Sequence, residues 1–172
     1  MRDPLVDAPS LIRRVYAYVA YRIGDGPDAE DVTSATFERA LRYRSSFDPR
    51  RGEPAAWLIG IARREIETHR LARSAATSDS IELEDPFDLA GATAIRLDLH
   101  RAMAMLGERD RELLALRYGA DLTARQIASL LHERVNSVEV ALHRAIARLR
   151  VQLGPREGAT DEPLALDVPM TP

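Results

Sequence analysis

The chain has 172 residues, of which 45% are apolar and 30% charged, a composition typical of one or two small globular domains. The absence of cysteine excludes a disulfide framework, a thiolate metal site and a cysteine nucleophile. No apolar run is long enough to cross a bilayer, and the N-terminus carries acids where a secretory signal would be apolar. We therefore expect a cytoplasmic protein that does not insert into a membrane.

Charge is distributed unevenly along the sequence. The net charge of −3 is unusual for a nucleic-acid binder, although all 24 basic residues are arginine, which suits phosphate contacts. Residues 1–73 hold 13 arginines and 11 acids, and residues 96–154 hold ten arginines and seven acids. Between them, residues 74–95 hold five acids and no arginine. We predict two weakly basic domains at 1–73 and 96–154, an acidic linker at 74–95 and a disordered tail at 155–172.

The spacing of apolar residues predicts three helices in the first domain. The first ends at the turn 24–27, the second covers about 28–43, and the third begins near Pro54 after a polar loop at 45–52. Their expected inward faces consist of Leu11, Val15, Val19 and Ile23; of Val32, Thr36, Phe37, Ala40 and Leu41; and of Trp57, Leu58, Ile61, Ala62 and Ile66.

The second domain is also predicted to be helical. Ile95, Leu99, Ala102, Met103 and Leu106 form one stripe, and a short helix follows at about 110–118. No segment alternates like a strand, so the predicted fold class is all-α, with two small helical domains. Internal repeats are absent from the sequence.

A helix-turn-helix pattern is present near the C-terminus. Thr123 and Gln126 have capping-box spacing, and the short helix that they begin breaks at 132–134. The long helix that follows has one apolar face, formed by Val135, Val138, Leu142, Ile146, Leu149 and Leu153. Such a helix can enter a major groove, but an ordinary helical hairpin gives the same pattern.

Two blocks of sequence resemble the extracytoplasmic-function (ECF) sigma factors of the sigma-70 family. Residues 102–154, with LGERDRELLALRY at 106–118 and ALHRAIARLR at 141–150, resemble region 4. DAEDVTSATFERAL at 28–41, FDPR at 47–50 and AWLIGIARR at 56–64 resemble region 2. The resemblance covers residues 11–153 with both blocks in the family's order. It implies a protein that brings core RNA polymerase to promoters, with no enzymatic activity, cofactor, metal or small-molecule substrate.

For the first domain, the resemblance implies binding to the β′ clamp helices and opening of the −10 element. The polymerase contacts would be Glu30, Asp31, Phe37 and Arg39. A flipped base and the freed strand would meet the 47–53 loop and the arginines of the next helix. These −10 candidates are Phe47, Asp48, Arg50, Arg51, Arg63, Arg64, Arg70 and Arg73. Trp57 lies on the apolar stripe and is expected in the core.

For the second domain, the resemblance implies duplex reading at the −35 element, with the β flap as the neighbouring polymerase element. The candidate contacts are Arg125, Arg134, Asn136, Ser137, Glu139, Val140, His143 and Arg144. The sequence departs from the family at His132, where Gly is frequent, and at Glu139 and Ala141, where basic residues are frequent. A cap signal at Asn136 also predicts a later start for the long helix.

The resemblance further implies an anti-sigma factor that covers both DNA-binding faces. Two other functions remain open at this point. One is a helix-turn-helix regulator that binds duplex operators without polymerase. The other is a sigma-like adaptor that binds polymerase but does not initiate transcription.

Overall fold

The computed structural model describes residues 3–76 and 94–154, and within these ranges the chain forms seven helices and no strand. The all-α prediction is confirmed. Most of the predicted acidic linker and the predicted tail lie outside the described residues. The helices are α1 (Ala8–Ile23), α2 (Pro27–Arg42), α3 (Pro54–Ala76), α4 (Ala94–Ala104), α5 (Glu108–Leu114), α6 (Ala124–Leu131) and α7 (Val135–Leu153). A 3₁₀ turn covers Arg44–Ser46, and a π turn at Ala115–Gly119 extends α5.

Helices α1, α2 and α3 form the N-terminal module, residues 3–76, in which each helix packs on the other two. The turn between α1 and α2 contains Gly24 and Gly26, whose φ angles of 101° and 118° suit glycine. Pro27 and Pro54 each begin a helix, where a missing amide hydrogen costs no intrahelical hydrogen bond. The predicted positions of all three helices are therefore confirmed to within a residue or two.

Two details of the predicted core of the N-terminal module are wrong. Leu41 was expected to face inward but is 56% exposed, because α2 buries the face of Val32, Thr36 and Ala40 and Leu41 lies about 100° around the helix from Ala40. Ile59, which the single stripe on α3 omitted, is fully buried. Helix α3 contacts α1, α2 and α6, so it buries more than one face.

Helices α4 to α7 form the C-terminal module, residues 94–154. Helix α7 packs against α4, α5 and α6, with Val138 and Ala145 fully buried. Arg111 closes the end of α4, since its guanidinium donates to the carbonyls of Met103, Ala104 and Leu106 at 2.9–3.1 Å. Leu106 itself is buried beyond the end of α4. The arginine replaces the usual glycine cap as the partner of these helix-end carbonyls.

The two modules are packed against each other through one apolar core. Buried residues of α1, α2 and α3 form a single cluster with buried residues of the π turn, α6 and α7. Helix α1 makes the main contact, and it lies against the π turn and α5. The sequence predicted two separate domains, and nothing in its pattern indicated that they would share a core.

Candidate nucleic-acid interface

The helix-turn-helix is built by local hydrogen bonds that the sequence predicted in part. The Gln126 amide donates to Thr123 Oγ1 at 3.3 Å, and the Thr123 amide donates to Gln126 Oε1 at 2.8 Å, which completes the capping box. His132 ends α6 in the left-handed conformation, with φ 58°. A side chain at this position carries a modest steric cost that glycine would avoid.

Helix α7 begins at Val135, before Asn136, the residue predicted as its N-cap. Its N-cap is Arg134, which has no side-chain capping bond, and the Val138 amide already donates to the Arg134 carbonyl. The prediction of a cap at Asn136 is wrong. Val138 is fully buried, and this burial fixes where the helix starts. It outweighs the weaker preference of Asn136 for an N-cap position.

The predicted −35 surface is presented to solvent. Val138, Leu142 and Ala145 occupy the buried face of α7, which turns the opposite face outward. All eight candidates are exposed, and they are Arg125, Arg134, Asn136, Ser137, Glu139, Val140, His143 and Arg144. Among the described residues, the three arginines of this set have no carboxylate partner within ion-pair distance. Their guanidinium groups are therefore available to phosphates.

The 47–53 loop presents two arginines and hides its aromatic ring. Arg50 and Arg51 are exposed, and the Arg50 amide donates to Asp48 Oδ1 at 3.0 Å, which fixes a tight turn. Phe47 is only 9% exposed, with its ring centroid 5.5 Å from that of Trp57. The prediction of Phe47 as a DNA contact is not supported by this conformation, because its ring packs under the loop.

Three of the four predicted −10 arginines on α3 are engaged within the protein. Arg63 Nε lies 3.0 Å from Glu112 Oε1, and Arg70 Nη1 lies 2.9 Å from Glu108 Oε1. Arg73 pairs with Asp28 of α2. Arg64 is exposed and has no ion-pair partner among the described residues. Two of the α3 arginines therefore pair with acids of α5, which belongs to the other module.

The predicted polymerase surface lies on α2, away from the C-terminal module. Glu30 and Asp31 are exposed, Phe37 is half-buried, and Arg39 Nη1 pairs with Glu65 Oε1 at 2.9 Å. The sequence missed the apolar part of this surface, formed by Leu41 and Tyr43, which are 56% and 53% exposed.

The pKa of the Glu108 carboxyl lies well below its ordinary value. Partial burial alone would raise the pKa of its carboxyl, but hydrogen bonds and charge from Arg22 and Arg70 lower it to about 2. A lowered pKa in the folded state stabilises the fold above the ordinary carboxyl pKa of 4.5, and this stabilisation is lost as the pH falls toward 2.

We therefore expect Glu108→Gln to lower the free energy of unfolding by a constant amount between pH 7 and pH 5. The difference from wild type will shrink between pH 4.5 and pH 3, since the Glu108 carboxyl of the unfolded chain becomes protonated there while that of the folded chain stays ionised down to about pH 2. Urea unfolding at each pH measures this difference. Glu38→Gln is the control, because Glu38 is exposed and makes no ion pair with a described residue. A difference for Glu108→Gln that stays constant down to pH 3 would contradict the assignment.

Two further properties concern the described residues only. No helix among them is long and apolar enough to span a membrane. No group of three or more His, Asp or Glu side chains in residues 3–76 and 94–154 is arranged to hold a metal ion.

The fold defines a two-module helical protein with a helix-turn-helix whose outward face presents unpaired arginines among the described residues. The profile of Sigma-70 region 2 matches residues 10–76, and that of Sigma-70 region 4 matches residues 96–149. The ECF RNA polymerase sigma factor SigL of Mycobacterium tuberculosis is 30% identical to this chain, with 81% of this chain and 82% of SigL aligned. The chain therefore belongs to the ECF sigma factors of the sigma-70 family.

Other relatives and solved structures agree with this family. SigK of Mycobacterium sp. strain KMS is 28% identical over 82% of this chain and 78% of its own length. BldN of Streptomyces coelicolor is 28% identical, but the chain spans only 54% of its length. CnrH, solved with the cytosolic domain of CnrY, has a TM-score of 0.57 and 25% identity, covering 85% of this chain and 81% of CnrH. RpoE of Bartonella quintana, solved with the anti-sigma factor NepR, shares the fold, with a TM-score of 0.66 and 21% identity over 83% of this chain and 91% of RpoE.

Proposed function

We propose that this chain directs core RNA polymerase to specific promoters, with its N-terminal module opening the −10 element and its C-terminal module reading the −35 element. The observation that carries the proposal is the outward face of the helix-turn-helix, whose first helix is held by a capping box. All the candidate −35 side chains are exposed there. A protein with this function acts in the cytoplasm, where core polymerase is found, and it contributes binding surfaces without performing catalysis itself.

The polymerase surface on α2 combines charge with an apolar patch. Asp31 and Arg39 would form polar contacts with the β′ clamp helices. Phe37 would lie between the hydrophobic core of this chain and the polymerase. Leu41 and Tyr43 extend this surface at the C-terminal end of α2. Exposed apolar side chains that adjoin charged ones are typical of a protein interface.

The −35 element would be held by phosphate contacts and read by a few side chains. Arg125, Arg134 and Arg144 suit phosphates, since no described carboxylate competes for them. Glu139 can accept a hydrogen bond from a cytosine amino group, and Val140 can contact a thymine methyl group. The α7 surface therefore favours a −35 sequence containing both bases.

The −10 element would be opened at the 47–53 loop. Arg50 and Arg51 are exposed beside a turn that the Asp48 carboxylate holds in place. Arg64 extends the positive surface onto α3. Guanidinium groups in this arrangement can hold the phosphates of a single strand and stack on an unpaired base.

The two promoter elements are too far apart for the observed arrangement of modules to contact both. They lie about 25 base pairs apart, or roughly 85 Å at 3.4 Å per base pair. A compact chain of this length has a radius of gyration of about 16 Å, which corresponds to roughly 40 Å across. The modules would therefore have to separate for the chain to contact both elements of a promoter.

We also propose an anti-sigma factor as a partner. RpoE of Bartonella quintana was solved with the anti-sigma factor NepR, and CnrH with the cytosolic domain of CnrY. The two DNA-binding faces proposed for this chain, the 47–53 loop and the outward face of α7, are exposed and would be covered by such a partner.

Run-off transcription tests this function against the two alternatives. We expect core polymerase with the wild-type chain to give transcripts from a selected promoter set that core polymerase alone does not give. Transcripts that remain absent, together with tight binding to duplex DNA without polymerase, would indicate a separate regulator. Polymerase binding without initiation would indicate an adaptor.

A further inference from the structure

A cavity of about 270 Å³ lies where the C-terminal end of α1 and the C-terminal half of α3 meet α4 and α5. Small-molecule sites are concave and combine apolar walls with a few convergent polar groups, and this volume is near their lower limit. The cavity therefore suits a ligand about as large as a mononucleotide. Its charged and titratable lining side chains, apart from the rings described below, are Arg22, Asp28, His69, Arg70, Arg73 and Arg111.

Arg111 brings a fixed positive charge to this cavity. Its Nε and Nη2 donate to the carbonyls of Met103, Ala104 and Leu106 at 2.9–3.1 Å, so the backbone holds the guanidinium in place. No carboxylate of a described residue lies within ion-pair distance of Arg111, and its Nη1 makes no hydrogen bond with a described residue. A guanidinium held in this way can still donate to an anion.

Positive charge is crowded around Arg111. Burial lowers the pKa of its guanidinium; the Glu108 charge opposes this shift, and the charges of Arg22 and Arg70 add to it. Arg22 Nη1 is also buried without a hydrogen-bond partner among the described residues, although buried polar groups are normally paired. This wall of the cavity therefore has more donors than acceptors, and an anionic ligand would supply acceptors.

Helix α3 continues the charged wall with His69, Arg70 and Arg73. Asp28 pairs with Arg73, and its Oδ1 lies 3.4 Å from His69 Nε2. The side chains of Arg70 and Arg73 remain partly exposed although both are paired with acids. Among the described lining residues Asp28 is the single acid, so the lining as a whole favours an anion.

The rest of the cavity is apolar and aromatic. Tyr21 and His100 pack edge to face, with ring centroids 6.4 Å apart and ring planes at 64°. Ile23 and Met103 belong to the same lining. A flat ring packs well against aromatic and apolar side chains. A ligand with an anionic group at one end and a ring at the other would match both parts of the cavity.

We propose that this cavity binds a small phosphate monoester that carries a planar ring, the chemistry of a mononucleotide. Arg111 would donate to the phosphate, supported by the charges of Arg22 and Arg70, and Tyr21 and His100 would pack against the ring. Phosphate is favoured over carboxylate because it carries roughly two negative charges at pH 7 and three acceptor oxygens. The inference goes beyond the proposed function and does not depend on it, since it concerns a ligand of the chain alone.

Isothermal titration calorimetry of the full-length chain tests the site, with AMP as the probe. We expect saturable binding of one AMP per chain. Ribose 5-phosphate lacks the ring and adenosine lacks the phosphate, so each should bind about ten-fold more weakly or worse. Absence of AMP binding at concentrations up to about 1 mM would overturn the proposal. Equal affinities for AMP and for either fragment would also overturn it, because both parts of the ligand are required.

Arg111→Gln locates the bound AMP. The glutamine amide can still donate to a carbonyl at the end of α4, but the positive charge is removed. We expect the affinity for AMP to fall about ten-fold or more, because hydrogen bonds to charged groups are the stronger ones. The matched control is Arg101→Gln, since Arg101 is exposed on α4 and does not line the cavity. Equal AMP affinities for the two variants would contradict the role of Arg111.

A second pair of variants covers the case in which Arg111→Gln loses helical content by circular dichroism. Ala104 is exposed and belongs to the cavity lining, so Ala104→Leu fills part of the space without removing a charge. We expect it to weaken AMP binding about ten-fold through overpacking. Ala72→Leu is its control, because Ala72 is exposed on α3 outside the lining. If the two variants bind AMP equally well, the ligand does not occupy this cavity and the proposal fails.

Discussion

Val138→Asp will strongly destabilise the helix-turn-helix. Val138 is fully buried where α7 packs on α6, and it belongs to the core cluster that both modules share. A carboxylate at this position would lie within a hydrophobic core cluster, so it must be buried as a charge or protonated at a cost. We expect a loss of roughly 4 kcal/mol, a large part of the stability of a domain of this size. The melting temperature should fall by about 10 °C, as measured by circular dichroism.

The matched control for this variant is Val151→Asp on the same helix. Val151 is 77% exposed, so the same change in volume and charge should leave the melting temperature within about 2 °C of wild type. Equal melting temperatures for the two variants would show that Val138 does not face the core. The inward position of Val138 is also what turns Glu139 and Val140 outward, so this measurement tests the DNA-facing surface indirectly.

Local patterns were sufficient to predict the helices and the helix-turn-helix. The apolar spacing of α1 and α3 and the capping box at Thr123 depend on residues only three or four positions apart, and the structure confirms them. Sequence patterns were less successful where a second surface competes for a residue. Ile59 is buried by an extra neighbour of α3, and Leu41 lies beside the buried face of α2 with nothing covering it.

The module contact could not be predicted, because its members are far apart in sequence. Tyr18 and Arg22 look like ordinary helix residues, and Glu112 looks like one more acid in a charged helix. Only the fold brings these three groups together. Gly119 lies against the backbone of α1, but a glycine near the end of a helix normally indicates a C-cap, so its position in the sequence does not indicate this contact.

The charge distribution fits a protein that depends on polymerase to hold it on DNA. Nucleic-acid binders that act alone neutralise many phosphates, whereas the two modules of this chain carry small net charges. Two of the α3 arginines are also neutralised by Glu108 and Glu112 in the structure. On the proposed function, the exposed arginines of the 47–53 loop and of α7 would therefore carry most of the direct attraction to a promoter.

Arg50→Ala/Arg51→Ala will impair promoter opening while polymerase binding stays near wild type. Both side chains are exposed in the loop that the Asp48 turn holds in place, and neither makes an ion pair with a described residue. Removing them takes two charges from the surface that would hold the freed strand, while α2 is unchanged. Losing two such contacts, at roughly 1 kcal/mol each or more, should reduce open complexes about ten-fold to a hundred-fold. Permanganate footprinting of the −10 region measures the opened bases.

The effect must be separated from a general loss of positive charge. Arg13→Ala/Arg150→Ala changes the net charge by the same amount at two exposed sites outside the predicted surfaces, and we expect near wild-type opening from it. Both double variants should bind core polymerase equally well. If the loop variant opens promoters as well as this control does, the single strand does not pass over the 47–53 loop, and the arginines of α3 become the better candidates. If the two variants are equally impaired, opening depends on overall charge, and the local assignment is wrong.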